Sequence, residues 1–192
     1  MIGVGVAGCG YWGSKVVRNI AATPGLRAVA ACDPKEGRRA YIKEHHPQVA
    51  VVGDWDALLG MDEIEAIWLA TPVRTHVALA REALSRRKHV LVEKPLATSA
   101  SDAAALVALA QSMGVALHTG HTYLHSPAVA SLRQLVRDGT LGRTCYITSE
   151  RINPGPPASD VSVLWDLAVH DIAIILDLTG LRPIAVSARG GR

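Results

Sequence analysis

The chain has 192 residues, 49% of them hydrophobic and 19% charged, enough apolar material for a packed core and too much for a disordered polymer. Lys and Arg number 20 against 17 Asp and Glu, a net charge of +3 spread along the chain, and the longest basic run is only Arg86-Arg87-Lys88, so no nucleic-acid partner is expected. Three unspaced cysteines exclude a disulfide scaffold, and no apolar run approaches the ~18 residues of a membrane span, so a cytoplasmic protein without membrane contact is expected.

The first apolar run, residues 2–7, has no basic segment before it and is interrupted by glycines, so it reads as a buried strand and not as a signal peptide. Similar short runs recur at 27–32, 49–52, 66–70, 89–92 and 115–119. They lack a polar face, as parallel strands covered on both sides do. Between them, residues 14–22, 35–45, 54–59, 74–87 and 99–112 are predicted helices. Thr23-Pro24-Gly25, His46-Pro47 and Met113-Gly114 supply turn chemistry. This alternation implies right-handed βαβ units and an α/β, doubly wound parallel sheet over residues 1–121.

Residues 122–192 change character. A helix at 128–138 and a turn at 139–142 precede a predicted strand at 144–151. A Pro/Gly loop at 153–158, a long helix at 161–179 and a strand at 184–188 follow. Two strands and one helix do not make a stable layer, and the helix is apolar nearly all round and expects cover on several sides. The chain is therefore expected to be cut off inside a partial α+β second domain.

Gly8-Cys9-Gly10-Tyr11-Trp12-Gly13 follows the first strand and opens a helix. Gly8 permits a tight turn, Gly10 lets a pyrophosphate approach the backbone, and Gly13 brings helix and strand close. Asp33 lies 25 residues beyond Gly8, at the end of the second strand, where a carboxylate holds adenosine ribose hydroxyls. The plainer reading of Asp33-Pro34 is a helix start with Pro34 at its first position. Asp33 favours NAD because a carboxylate repels a 2′-phosphate, while Lys35, Arg38 and Arg39 nearby offer compensation, so NAD and NADP both stay open.

Thr71-Pro72, with Thr75-His76 after it, ends the fourth strand, at the carboxyl edge where open α/β sheets bind ligands; it is also an ordinary helix start. Glu93-Lys94-Pro95 ends the fifth. A lysine there points into the same crevice and is suited to hydrogen-bond a reacting hydroxyl, although most lysines are simply solvated. Asp166 and His170, four apart on the apolar helix, form either a satisfied core pair or a general base with its orienting carboxylate. His118, His121 and His125 sit on a strand end and loop and lack the glutamate of a metallohydrolase helix, so no metal is expected. Cys9, Cys32 and Cys145 have no nucleophile or ligand partners at useful spacing and read as buried reduced thiols, the last within a strand.

Taken in this order, these motifs resemble the Gfo/Idh/MocA family, which groups glucose–fructose oxidoreductase, inositol dehydrogenase and rhizopine-catabolism proteins. The resemblance spans essentially the whole chain and is similar to the first half of a member of ordinary length. It implies a Rossmann-like domain and hydride transfer to NAD or NADP. Gly8, Gly10, Tyr11, Trp12, Gly13, Asp33, Pro34, Thr71, Pro72, His76, Glu93 and Lys94 then border the cofactor. Lys94 and His170 match the family's catalytic lysine and histidine, and Asp166 its acidic partner. Segments 120–127, 151–155 and 163–171 further resemble a branch that oxidises a ring hydroxyl of a UDP-linked N-acetylhexosamine or its uronate. That likeness assigns His121, Tyr123, His125, Arg151 and Asn153 to the substrate, although His125-Ser126 stands where the branch has Tyr-Asn. Full-length relatives are expected to be homo-oligomers through the second-domain sheet. A free-polyol dehydrogenase of inositol type, or a dinucleotide-binding module without catalysis, is the alternative.

Overall fold

A computed structural model describes residues 1–152 and 161–190. The chain divides into two compact units, one built on Met1–Gly120 and the other beginning at His121.

The first unit is a six-stranded, wholly parallel sheet of β1 (Ile2–Ala7), β2 (Leu26–Cys32), β3 (Ala50–Val52), β4 (Ala66–Leu69), β5 (His89–Val92) and β6 (Leu117–Thr119). Its order is β3-β2-β1-β4-β5-β6, so the winding direction reverses between β1 and β4. The helices are α1 (Tyr11–Ala22), α2 (Glu36–His45), α3 (Trp55–Leu59), α4 (Val73–Ser85) and α5 (Ala100–Met113). α1 presents Gly13, Val16, Val17 and Ile20 at helical spacing, and with Ile42 of α2 they bury Val4, Val6, Ala28 and Ala31 on one face of the sheet. On the other face, Leu58 and Leu59 of α3, Ala80 and Leu84 of α4, and Leu106 and Ala110 of α5 cover Val29, Ile67, Leu69, Val90 and Val92. Strands buried on both faces explain the unbroken apolar runs. Asp54 caps α3 through the Ala57 N–H, Ser99 caps α5 through the Asp102 N–H, and Gly114 ends α5 in the left-handed conformation. The doubly wound architecture is the expected one.

In the second unit a 3₁₀ turn at Thr122–His125 leads into α6 (Pro127–Arg137), with Ser126 capping the Val129 N–H and Pro127 in the first turn. The predicted long helix begins with a π-type turn at Leu164–Ala168 and continues as α7 (Val169–Thr179), closed by left-handed Gly180. α6 and α7 pack together, and Arg133 donates to Asp177 at 2.6 Å.

Two predicted strands are absent. Residues 144–151 and 184–188 have extended-strand composition, but neither joins a ladder among the described residues. A strand needs a hydrogen-bonded neighbour, and Tyr146, Ile184 and Val186 stand out in solvent instead of under a second layer. Cys145 is correspondingly exposed, not the buried strand thiol expected. Among the described residues the cover expected for the apolar helix does not close over it, since Val163, Leu164 and Ile172 are more than half exposed. Asn153 and the predicted 153–158 loop lie outside the described residues.

Candidate active site

The first candidate centre lies at the carboxyl ends of β1, β2 and β4, where the strand order reverses and open α/β sheets place their ligands. β1 runs into Gly8 with φ of +90°, a conformation that disfavours any side chain, and a Cβ there would strike the Ala70 carbonyl. A Cβ on Gly13 would strike the Gly8 carbonyl, so helix and loop close up only on glycine. Gly10 begins α1 without a side-chain cap and with no acidic residue in the first turn. Its first N–H groups and the positive end of the helix dipole are thus left for an anion.

Asp33 directly follows β2, at 2% exposure. Its carboxylate accepts from the Cys9 N–H at 2.9 Å, from the Lys35 N–H at 2.9 Å and from the Arg38 guanidinium at 3.3 Å. Burial pushes this carboxyl up, but the N–H bonds from Lys35 and Cys9 and the Arg38 cation outweigh it and hold it below the usual carboxylate range. Asp33 therefore does two things at once: it fixes the glycine loop and supplies negative charge at the cavity rim. Arg38 reaches over Gly10, 3.6 Å from where a Cβ would stand, while Arg39 donates to the Asp33 and Pro34 carbonyls. Burial, then the charge of Asp33, pushes the Cys9 thiol up to about 12 and that of Cys32 to about 11, so both are inert neutral thiols.

A cavity of about 480 Å³ opens between Gly8, Asp33, Pro34, Thr71, Pro72 and Thr75, with Lys35, Arg38 and Arg74 as its cations. That volume suits one half of a dinucleotide. Tyr11 and Trp12 stand exposed in the first turn of α1, with the Lys15 ammonium 3.8 Å from the Tyr11 ring centroid. Its hydrogen bond and charge lower the Tyr11 hydroxyl from its ordinary value.

Further candidate groups stand at the ends of β4 and β5. Thr75 donates to the Thr71 hydroxyl at 2.8 Å. His76, assigned to the cofactor by resemblance, is 1% exposed, with one ring nitrogen 2.8 Å from the Pro95 carbonyl and the other 2.9 Å from the Thr71 carbonyl. Glu93 accepts from the Trp68 indole at 3.1 Å and lies against Gly120, so it is engaged within the sheet edge. Lys94 follows it, half-buried, at the mouth of β5.

The second unit holds the other candidate residues. His170 opens α7 at 8% exposure, and the edge of Tyr123 meets its ring at 4.7 Å between centroids. The Arg151 guanidinium lies over the Tyr123 ring, 4.7 Å from its centroid, and donates to both oxygens of Asp171 at 2.7 and 2.9 Å. The hydrogen bond from Arg151, assisted by one from Ser149, holds Asp171 below the usual carboxylate range and raises Arg151 in turn. Asp166 stands in the π-type turn, whose wider winding changes the offset that a regular α-helix gives residues four apart. His121 precedes the 3₁₀ turn and His125 ends it. Sequence reasoning missed Asp171, because a pair made 20 residues apart leaves no periodic trace, and it missed Gly53, Trp55 and Arg74 as cavity walls. Among the described residues no three His, Cys, Asp or Glu side chains gather to hold a metal ion, and no helix is long and apolar enough to cross a membrane.

A parallel sheet that reverses direction at a glycine loop, an uncapped helix start and a buried aspartate at the end of β2 define a dinucleotide-binding Rossmann domain. Residues 2–121 match the family described as "Oxidoreductase family, NAD-binding Rossmann fold" and residues 129–192 match the "GFO/IDH/MocA C-terminal domain". The chain belongs to the Gfo/Idh/MocA oxidoreductase family. It is 34% identical over 187 residues to UDP-N-acetylglucosamine 3-dehydrogenase of Acidithiobacillus ferrooxidans, a match covering 97% of this chain and 57% of that protein. The crystal structure of GenD2 from gentamicin A biosynthesis, in complex with NAD, superposes with a TM-score of 0.83 at 25% identity, over 93% of this chain and 54% of the other. KijD10, a 3-ketoreductase from Actinomadura kijaniata bound to NADP and TDP-benzene, gives 0.67 at 29% identity over 72% and 42%. The chain spans about half the length of the relatives it matches.

Proposed function

We propose that this chain is the cofactor-binding and catalytic-helix portion of an NAD(P)-dependent sugar dehydrogenase, acting on a ring hydroxyl of a nucleotide sugar of the UDP-N-acetylhexosamine type. The glycine loop pinned by Asp33 beside the 480 Å³ cavity carries this reading. It fits the group: the α1 N–H groups receive the pyrophosphate, and the Asp33 carboxylate takes the ribose hydroxyls once the Arg38 side chain, 46% exposed, swings aside. Bound nicotinamide supplies the hydride acceptor at its C4.

Lys94 donates a hydrogen bond to the oxygen that develops negative charge as hydride leaves the carbinol carbon. His170 accepts the hydroxyl proton on a ring nitrogen, so alcohol becomes ketone, one hydride is transferred and one proton stays on the imidazole. Asp166 orients that ring. Tyr123 and Arg151, assigned to substrate by resemblance, are supported better as its scaffold, because Arg151 is already bound to Asp171 and stacked on Tyr123, which in turn packs on His170. His121, His125 and Asn153 remain the residues proposed to face the sugar, with the chain working as part of a homo-oligomer.

A second reading, cofactor binding without turnover, is favoured by the segments at 144–151 and 184–188, which form no strand among the described residues. Turnover assays with UDP-N-acetylglucosamine, its uronate and free inositol, each with NAD and with NADP, separate the readings. Sugar-nucleotide turnover that falls about 100-fold or more in Lys94→Ala and in His170→Ala, with NADH affinity nearly unchanged, is expected. Saturable cofactor binding without turnover of any panel member refutes the catalytic reading, and preference for inositol refutes the substrate class.

A further inference from the structure

A buried histidine that touches neither solvent nor the cavity needs a reason. His76 sits one turn into α4, 1% exposed, and its imidazole bridges two loops that end different strands. Nδ1 is 2.8 Å from the carbonyl of Pro95, the residue after Lys94, and Nε2 is 2.9 Å from the carbonyl of Thr71, which lines the cavity wall. The sequence separations are 19 and 5 residues, so the contact toward Pro95 is the long-range one.

We propose that His76 is a positioning residue that sets the distance between the Thr71-Pro72 wall of the cofactor cavity and the Lys94 backbone. The inference rests on the reading of Lys94 and the cavity given above. Three observations converge on it. β4 and β5 are paired side by side, but their ladder stops at Leu69 and Val92, with a final backbone bond from the Glu93 N–H to the Leu69 carbonyl. Beyond that point His76 reaches both loops, one through each ring nitrogen. Its own anchorage is firm, because Ala80, Ala83 and Leu84 bury α4 against the sheet one and two turns later. Finally, both of its partners are carbonyl oxygens, which only accept. A neutral imidazole donates to one of them and sets its unprotonated nitrogen against the other, so the tautomer decides which loop receives the hydrogen bond. The brace therefore joins one hydrogen bond and one close contact, and each side can be replaced separately.

Side-chain geometry makes the test direct. The amide nitrogen of asparagine falls near the place of Nδ1 and that of glutamine near Nε2, so His76→Asn keeps the Pro95 arm, His76→Gln keeps the Thr71 arm and His76→Leu keeps neither. The full chain is studied by backbone hydrogen exchange, by ring ¹⁵N spectra of His76 and by NADH titration. Expected in His76→Leu is faster exchange confined to the loops at 71–75 and 93–97 and NADH binding weakened by about tenfold. Expected in His76→Asn is protection restored at 93–97 only, and in His76→Gln at 71–75 only. Wild-type His76 should show at least one slowly exchanging ring N–H. Exchange that rises evenly across the sheet, or loops unchanged in all three variants, overturns the brace. If His76→Leu does not fold, the opposite loop patterns of the Asn and Gln variants decide the matter. Wild-type chain that binds no NADH refutes the cofactor reading, and the loop exchange pattern still reports on the brace.

Discussion

Asp33→Asn is the most informative single change, because so much converges on one carboxylate. Asparagine keeps the shape and one acceptor oxygen, but the Cys9 and Lys35 N–H groups approach different oxygens, each at 2.9 Å. Whichever way the amide turns, its NH₂ faces one N–H donor in a site only 2% exposed. Leaving one buried donor opposed costs about 1–3 kcal/mol, and the lost Arg38 contact adds little because that side chain is 46% exposed. About 2 kcal/mol corresponds to a melting point lower by about 8 °C for a unit of this size. The acid limb of stability should change as well. The Asp33 carboxyl is held below its ordinary value of 3.8, so its contribution is present above that value and disappears as pH falls through the lower folded one. The variant lacks that loss. Thermal unfolding followed by circular dichroism from pH 7 to pH 2 measures both. An Asp33→Asn variant that melts within about 1 °C of wild type, with the same acid limb, would refute the assignment of Asp33 as the pin of the glycine loop.

Gly13→Ala places a methyl against the Gly8 carbonyl, backbone that cannot rotate away, so destabilisation of about 2–3 kcal/mol with loss of NADH binding is expected by denaturant melts and titration. Arg38→Ala removes the cation over Gly10 and beside Asp33, so NADPH binding should weaken by about tenfold more than NADH binding, measured as the ratio of the two Kd values. Arg151→Lys cannot reproduce the two-oxygen grip on Asp171, and near-ultraviolet circular dichroism should report loosened Tyr123 packing while the first unit melts unchanged.

The strand runs and the glycine loop were legible because burial on both faces and close backbone approach leave compositional marks: Val-rich runs bounded by turns, and glycine at positions 8, 10 and 13. Element bounds in the first unit agree with the sequence reading to within a few residues. The second unit was legible only in its helices. A pattern of apolar residues cannot announce a π-type turn, so Asp166 and His170 read as members of one regular helix. Nor does β-rich composition at 144–151 guarantee a strand, since pairing is a property of the neighbour as much as of the segment. His76 was visible as a residue but not in its role, because burial and two backbone carbonyls are tertiary facts. The same holds for Asp33, whose partners include a loop amide 24 residues away.

The cradle formed by the β1–α1 loop, Asp33 and the Thr71-Pro72 wall is proposed to bind a nicotinamide dinucleotide. Trp55 lines that cavity and Trp12 stands at the start of α1, so tryptophan emission is the natural reporter. Titrating the purified chain with NADH and, separately, NADPH should give saturable quenching with energy transfer to the reduced nicotinamide, lost in Gly13→Ala. Emission that changes only linearly with either dinucleotide, in a chain that circular dichroism shows to be folded, would contradict the account.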